Sequence, residues 1–309
     1  MEISVVIPTY NRPHYLKEAL TSILNQNHSG LDDNIEIIVV NDAGVDVASI
    51  VNEFTQFGLN IKHLKQEQNK GLSAARNLGI NSSLGKYICF LDDDDLWLPN
   101  HLDAMAKSIQ SDPQTEIFVY SCLVSKKREL LKLQPHEHDL WDVMPIPQLL
   151  MTTNLFPVHA CVVKNFKDTE VRFDESLPYL EDWELWLKLS QILGYSFKKV
   201  DTTSVVYYLP EHSSSMITQA TKAISSSVEF NMQVLKIWQN IGSNCDEVSE
   251  FRFYVSFMYL QIINSISLGK KMNWNYYLNT VKILEQHWLG NIKKQSVLQK
   301  ITKAVGTHD

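Results

Sequence analysis

The sequence has little cysteine, no concentrated positive charge and no long apolar run, and each shortage removes a class of function. Cys89, Cys122, Cys161 and Cys245 stand apart, with neither a CxxC nor a zinc-like spacing. Cys89 and Cys161 lie in apolar stretches, as small core residues do in a reducing cytoplasm. Net charge is -7 and the pI about 5.8, and the one basic cluster, Lys126-Lys127-Arg128, is too short to neutralise a phosphate backbone. A nucleic-acid partner is therefore excluded. The longest uncharged stretch, Phe253 to Gly269, contains Ser256, Gln261, Asn264 and Ser265 and falls short of the ~20 residues a membrane span needs. It reads as a buried helix, with peripheral membrane contact as the remaining membrane option.

Familiar site signatures are absent too. There is no GxGxxG, HExxH or GxSxG, and Gly79 to Lys86 fails as a P-loop: five residues separate its glycines and Tyr87 follows the lysine. His136-Glu137-His138 lies in a polar stretch and reads as a surface cluster. The start, MEISVVIPTYNR, has an acid and a strand where a signal peptide has a basic end and an apolar core, so a cytoplasmic location is expected. Asn27-His28-Ser29 and Asn81-Ser82-Ser83 then carry no glycan. No internal repeat is present.

What is present is an alternation. Strand candidates at Ile3 to Pro8, Ile35 to Val40, Ile61 to Leu64 and Tyr87 to Leu91 are separated by helical patterns at Leu16-Leu20-Ile23-Leu24, Val47-Ile50-Val51-Phe54 and Ala75-Leu78-Ile80. Asn11 and Pro13 are expected to open the first helix and Asp46 the second. Such a βαβαβαβ order predicts an α/β fold, a mostly parallel sheet flanked by helices. Ligands in such sheets bind beyond the carboxyl ends of the strands, where Thr9-Tyr10-Asn11, Asn41-Asp42, Asn69 to Gly71 and Asp92 to Asp95 all fall.

After Pro99 a helix through Leu102, Met105 and Ile109 is expected, then a hairpin from Ile117 to Val124 and Leu130 to Leu133. Gln134 to Pro157 reads as loop with at most a short helix. Val158 to Val163 follows as a strand, then a helix around Leu180 to Leu189 and a last strand from Ser204 to Leu209. From Ser213 only helical patterns remain, in three segments.

The four successive carboxylates Asp92 to Asp95 repel one another, and a divalent cation would relieve them. In extended backbone, residues i and i+2 project together, so the ion would meet Asp92 with Asp94 or Asp93 with Asp95. The alternative is a solvated acidic turn with Asp95 as a helix cap. Arg76 can pair with phosphate or with one of these acids. Glu181-Asp182 can stabilise a helix start or, beside Trp183, supply a general base.

Taken together, Ile7-Pro8-Thr9-Tyr10-Asn11-Arg12, Val39-Val40-Asn41-Asp42, Asn69-x-Gly71-x-x-x-Ala75-Arg76-Asn77-x-Gly79, Phe90-Leu91-Asp92-Asp93-Asp94-Asp95 and Glu181-Asp182-Trp183 resemble the family 2 inverting glycosyltransferases of GT-A fold. The resemblance implies a GT-A domain over 1–212 (a nucleotide-sugar-binding half, 1–98, and an acceptor and catalytic-base half, 99–212) and a helical C-terminal region, 213–309. It implies a nucleotide-sugar donor, most commonly UDP-linked, contacted by Pro8, Thr9, Tyr10, Arg12, Asp42, Asn69, Gly71, Arg76, Asp92 and Asp93. Asp92 and Asp94, with Asp94 the direct ligand and His212 a further one, would hold Mn²⁺ or Mg²⁺. Asp182, beside Glu181, matches the base. The acceptor would be a glycan or lipid-linked saccharide, and the helical region a surface for a second copy. Asn41-Asp42-Ala43-Gly44 departs from the family's usual acidic-acidic-Gly-Ser. A sugar-1-phosphate nucleotidyltransferase and a non-catalytic protein on a degenerate fold are the competing readings.

Overall fold

Every residue from Ile3 to Thr9 is buried, and this run forms the central strand β1. In the computed structural model, which describes residues 2–27, 34–125, 139–208, 223–242, 245–273 and 275–306, β1 pairs in parallel with β2 (Ile35–Asn41) and with β4 (Tyr87–Phe90). β2 pairs in parallel with β3 (Ile61–Lys65). Pro8 breaks no ladder with β4, because that pairing ends at Val6. Side chains on successive β2 residues point to opposite faces: Ile38 and Val40 meet Ala75, with Leu78, on the helix Leu72–Ser82. That helix is α3, after α1 (Pro13–Leu24) and α2 (Ala48–Gln56). It lies so close to the sheet that a Cβ on Gly79 would overlap the side chain of Val6.

The sheet continues past β4 with a change of direction. The spatial order is β3-β2-β1-β4-β8-β6-β9-β5, with β7 also on β6. Here β5 is Leu96–Trp97, β6 Ile117–Ser125, β7 Asp139–Trp141, β8 Cys161–Lys164 and β9 Phe197–Tyr208. β8 is antiparallel to β4 and β6, whereas β9 runs parallel to β6, with register shifts around Ser121. The α/β architecture is as expected. Leu130–Leu133, the hairpin partner expected for β6, lies outside the described residues; among those described, β6 is antiparallel to β7. Residues Val158–Ala160, expected within a strand, form a 3-10 turn before β8.

The remaining helices are α4 (His101–Ser111), α5 (Pro147–Leu150), α6 (Glu181–Ile192), α7 (Ile224–Ile241), α8 (Asp246–Ser267), α9 (Tyr276–Trp288) and α10 (Lys294–Val305). The sequence pattern predicts three segments after Ser213; the described residues hold four. α10 buries Val297, Ile301, Ala304 and Val305 among lysines and glutamines, too thin a stripe to stand out in the sequence. No described helix is long and apolar enough to cross a membrane. α8 buries Val255, Met258, Tyr259 and Ile262 while Phe253 and Leu260 stay exposed.

The chain forms two compact units. One comprises Met1–Asp142, Phe156–Ser176 and Lys188–Tyr208; the other comprises Val143–Leu155, Leu177–Leu187 and Leu209–Asp309. The sheet belongs to the first, and helices α7 to α10 to the second, together with Val143–Leu155 and the start of α6.

Candidate active site

The turn after β4 resolves the four aspartates into two kinds. Asp93 and Asp95 point inward, with side chains 0% and 3% exposed, whereas Asp92 and Asp94 are 22% and 38% exposed. The segment is not the extended chain expected but a turn closed by the Asp95 N–H donating to Asp92 O at 2.9 Å, and that turn separates the two pairs. Asp93 accepts from Thr9 Oγ1 at 2.7 Å and pairs with Arg12 Nη2 at 2.5 Å. Arg12 Nη1 reaches Asp94 Oδ2 at 2.7 Å. Arg76, almost wholly buried, clasps both oxygens of Asp92 through Nη2 at 2.7 and 2.9 Å and lies over the Phe173 ring.

Arg12, Arg76 and a protonated His159 still leave the four carboxylates one positive charge short. Burial, against the pull of Arg12, pushes Asp93 up to about 7. Burial and then the charge of Asp95 push Asp94 up to about 6. For Asp92 burial acts the same way, but Arg76, His159 and Arg12 outweigh it and leave the group below the ordinary aspartate value. Arg12 is raised: its burial is outweighed by the charges of Asp93, Asp94 and Asp92. Excess negative charge held by burial is what a divalent cation would relieve, and carboxylate oxygen is the donor type hard cations take.

Asp95 is used differently. It accepts from the Tyr208 backbone N–H at 2.9 Å, and its other oxygen lies 2.8 Å from His159 Nδ1. Burial disfavours the imidazolium, yet Asp95 and Cys122 raise His159 well above the usual histidine range. Asp92, Asp95 and His159 place ligand atoms within 4.8 Å of one another, so the three also meet the distance requirement for a metal. An ion there would displace a proton from the buried His159–Asp95 pair. Asp92 with Asp94 is the pair that leaves His159–Asp95 intact.

At the end of β2, Asp42 accepts from Gln66 Nε2 at 2.9 Å and from the backbone N–H groups of Lys70 and Gly71, both at 2.8 Å. It ties the Asn69–Gly71 turn, with Gly71 at φ 91°, to the sheet rim. Asn11, expected to cap α1, does not: it adopts φ 55° and its Oδ1 accepts from Val45 N–H at 2.9 Å. The residue before α1 is Arg12, whose side chain is committed to the aspartates. Asp46 receives the Ala48 N–H at 3.0 Å, but from one position ahead of the cap residue of α2, which is Val47. Ala43 stands at φ 58°, where glycine is at ease, and the next residue, Gly44, would place a Cβ 2.6 Å from Asn11 N. Tyr10 is exposed beside this turn.

Glu181 and Asp182 open α6 in the second unit, where their charge suits the N-terminal dipole. Leu180, just before them, has φ 66°, an uncommon conformation for an apolar side chain. Asp182 Oδ2 accepts from Asn154 Nδ2 at 2.9 Å and Oδ1 from the Trp183 N–H at 2.8 Å. Glu181 is buried.

The first unit thus gathers Thr9, Arg12, Arg76, Asp92, Asp93 and Asp94 at one rim, with Asp42 holding the neighbouring turn. Glu181 and Asp182 lie in the second unit. His212 falls outside the described residues, as do Lys126-Lys127-Arg128 and His136-Glu137-His138. The sequence reading passed over Gln66, His159 and Asn154. Gln66 directly follows β3 and so sits at the same rim, which was the one signal for it.

A strand order in which a parallel β3-β2-β1-β4 half carries acidic residues at its carboxyl rim and continues into an antiparallel half defines a GT-A type fold. The chain belongs to glycosyl transferase family 2, whose family model matches residues 4–165, more than half of its length. It is 27% identical over 267 residues to an uncharacterised glycosyltransferase of Methanocaldococcus jannaschii, covering 84% of this chain and 88% of that one. To an uncharacterised glycosyltransferase of Rickettsia bellii it is 31% identical over 205 residues, 64% of this chain but only 29% of the other. The chain thus spans less than a third of that relative. In fold it resembles S. aureus TarS 1-349 in complex with UDP-GlcNAc, with a TM-score of 0.61 at 18% identity over 98% of this chain and 88% of that one. It also resembles the mannosyltransferase PcManGT of Pyrobaculum calidifontis in complex with GDP-Man and Mn²⁺, with a TM-score of 0.56 at 16% identity over 97% and 85%.

Proposed function

We propose that the chain is a metal-dependent inverting glycosyltransferase that moves a sugar from a nucleotide-sugar donor, a UDP-sugar, to a hydroxyl of a glycan or lipid-linked acceptor. The observation that carries this is the alternation after β4: Asp93 and Asp95 are locked inward while Asp92 and Asp94 stay accessible beside two guanidiniums. Family membership and the nucleotide sugars in the complexes of both fold neighbours support the donor class.

In this reading Asp94, with Asp92, would hold Mn²⁺ or Mg²⁺, and the ion would neutralise charge on the leaving diphosphate. Arg12 and Arg76 pair with these carboxylates and can also turn to phosphate oxygens, which guanidinium recognises as well as carboxylate. Thr9, Tyr10 and the turn held by Asp42 face the nucleoside. Asp182 takes the proton of the acceptor hydroxyl as it attacks the anomeric carbon in line, giving inversion. Binding both substrates supplies the orientation that a bimolecular encounter lacks. A nucleotidyltransferase is disfavoured, because β1 is followed by Tyr10-Asn11-Arg12 and not by a glycine-rich loop.

A thermal-shift panel of UDP-, GDP- and dTDP-sugars with and without Mn²⁺ tests the reading. Stabilisation should be largest for a UDP-sugar with metal and vanish in Asp94→Ala. Asp182→Asn should keep donor binding and lose transfer. UDP binding indifferent to metal and to Asp94→Ala would remove the metal assignment.

A further inference from the structure

Asp182 has an uncommon amount of scaffolding behind it, and much of that scaffolding comes from the C-terminal helices. Its Oδ2 accepts from Asn154 Nδ2 at 2.9 Å, which fixes the orientation of the amide: the opposite one would face oxygen with oxygen. Asn154 is 9% exposed, and its own Oδ1 has no hydrogen-bond partner among the described residues. A buried amide left half-satisfied stays in place because its other half, or the segment that carries it, is held.

The segment is held by backbone carbonyls, one after another. Trp183 Nε1 donates to Leu150 O at 2.6 Å, and Arg252 of α8 to Met151 O at 3.3 and 3.4 Å. Trp238 Nε1 of α7 donates to Thr152 O at 3.0 Å. Tyr277 of α9 donates its hydroxyl proton to Asn154 O at 3.1 Å and so accepts from Thr153 Oγ1 at 2.6 Å, since a phenol has one proton. Arg252 also lies 5.4 Å from the Trp238 ring, locking two of these donors to each other. Burial first, and also the negative charge of Asp182, raise the Tyr277 phenol, so it remains a donor. All these residues belong to the second unit.

We infer that Asn154 is a positioning residue for the Asp182 carboxylate, and that α7, α8 and α9 serve the reaction by fixing the Leu150–Asn154 segment through Trp238, Arg252 and Tyr277. This rests on Asp182 being the general base. The amide donor and the Trp183 N–H hold the carboxylate in one rotamer and favour its ionised form, the form that accepts a proton. Among the described residues, Tyr277 of α9 is the titratable group on a packed helix that senses the Asp182 charge, and Glu181 adjoins it in sequence.

The test is a carbon-13 NMR titration of the full chain labelled in its aspartate carboxyls, with the Asp182 signal assigned by its loss in Asp182→Asn. Asn154→Ala should raise the Asp182 midpoint by roughly half to one pH unit and Asn154→Asp by more, through loss of the donor and then added like charge. Tyr277→Phe, which removes one hydroxyl, should move it the same way by less and covers the case in which Asn154→Ala does not fold. UDP affinity by calorimetry should stay within about twofold in each, while turnover of the donor selected by the thermal-shift panel falls about tenfold in Asn154→Ala. An unmoved Asp182 midpoint in both Asn154→Ala and Tyr277→Phe would overturn the positioning role even if Asp182→Asn is inactive. A moved midpoint with a fully active Asp182→Asn would overturn the general-base reading instead.

Discussion

Thr9 and Asp93 are 84 positions apart, yet Thr9 Oγ1 donates to Asp93 Oδ2 at 2.7 Å across the carboxyl ends of two neighbouring strands. That bond helps hold Asp93 inward, as the Tyr208 N–H and His159 hold Asp95. Thr9→Val keeps the shape and removes one donor to a buried carboxylate. A loss of about 1–3 kcal/mol in urea unfolding is expected, with weaker metal-dependent donor binding because Asp93 is free to compete with its neighbours.

Metal binding should depend on pH through Asp94, which burial and the charge of Asp95 push up to about 6. A carboxyl must release its proton to ligate, so affinity should be flat well above that value and fall about tenfold per pH unit below it. Calorimetry of Mn²⁺ with the full chain between pH 5 and 8 measures this, and an affinity constant across that range would count against Asp94 as a ligand.

His101 offers an independent pH handle. Buried, 2.7 Å from Ser204 Oγ and against the Trp97 and Tyr120 rings, it is pushed down to about 3, by burial first and then by His159. The sign follows from the depressed folded value: below the unfolded value near 6.5 the unfolded chain takes up a proton that the native one refuses. Its contribution is therefore intact above about 6.5 and lost as the pH falls towards 3, on the order of 2 kcal/mol by pH 5. His101→Phe should flatten that part of the stability profile in denaturant titrations.

The turn after β2 predicts two changes of opposite sign. Ala43→Gly relieves a left-handed backbone at φ 58° and should raise stability by about 0.5–1 kcal/mol after the entropy cost of glycine. Gly44→Ser, which would restore the more usual family residue, sets a Cβ 2.6 Å from Asn11 N and should lower the melting temperature. Here the departure from Gly-Ser has a physical basis: Asn11 folds back to accept from Val45 and needs the space a side chain would take.

The parallel half was legible because its strands are short, mostly apolar runs that end in polar turns, and the chain must bring such ends to one rim. Less was legible where pattern and packing part company. The first half of β9, with Lys198, Lys199 and Asp201, precedes the strand expected from Ser204 to Leu209, yet it pairs with β6 across register shifts. β5 is two residues long and exists through Val205 and Val206 opposite it. Asn11 looked like a cap because side-chain type does not reveal a positive φ. The alternation of Asp92 to Asp95 was visible in advance, but choosing between its two pairs required knowing which face is buried. Asn154 gave no local signal; its partner lies 28 positions away.

The contact between Gly79 and Val6 leaves a mark on how this sequence can drift. Helix and strand are as near as a missing Cβ allows, so the two positions share one fixed volume. Growth at 79 must be matched by shrinkage at 6, and Gly79→Ala should be rescued by Val6→Ala while neither change is neutral alone. Among relatives, this predicts a covarying pair on the β1–α3 interface, behind the rim and outside its chemistry.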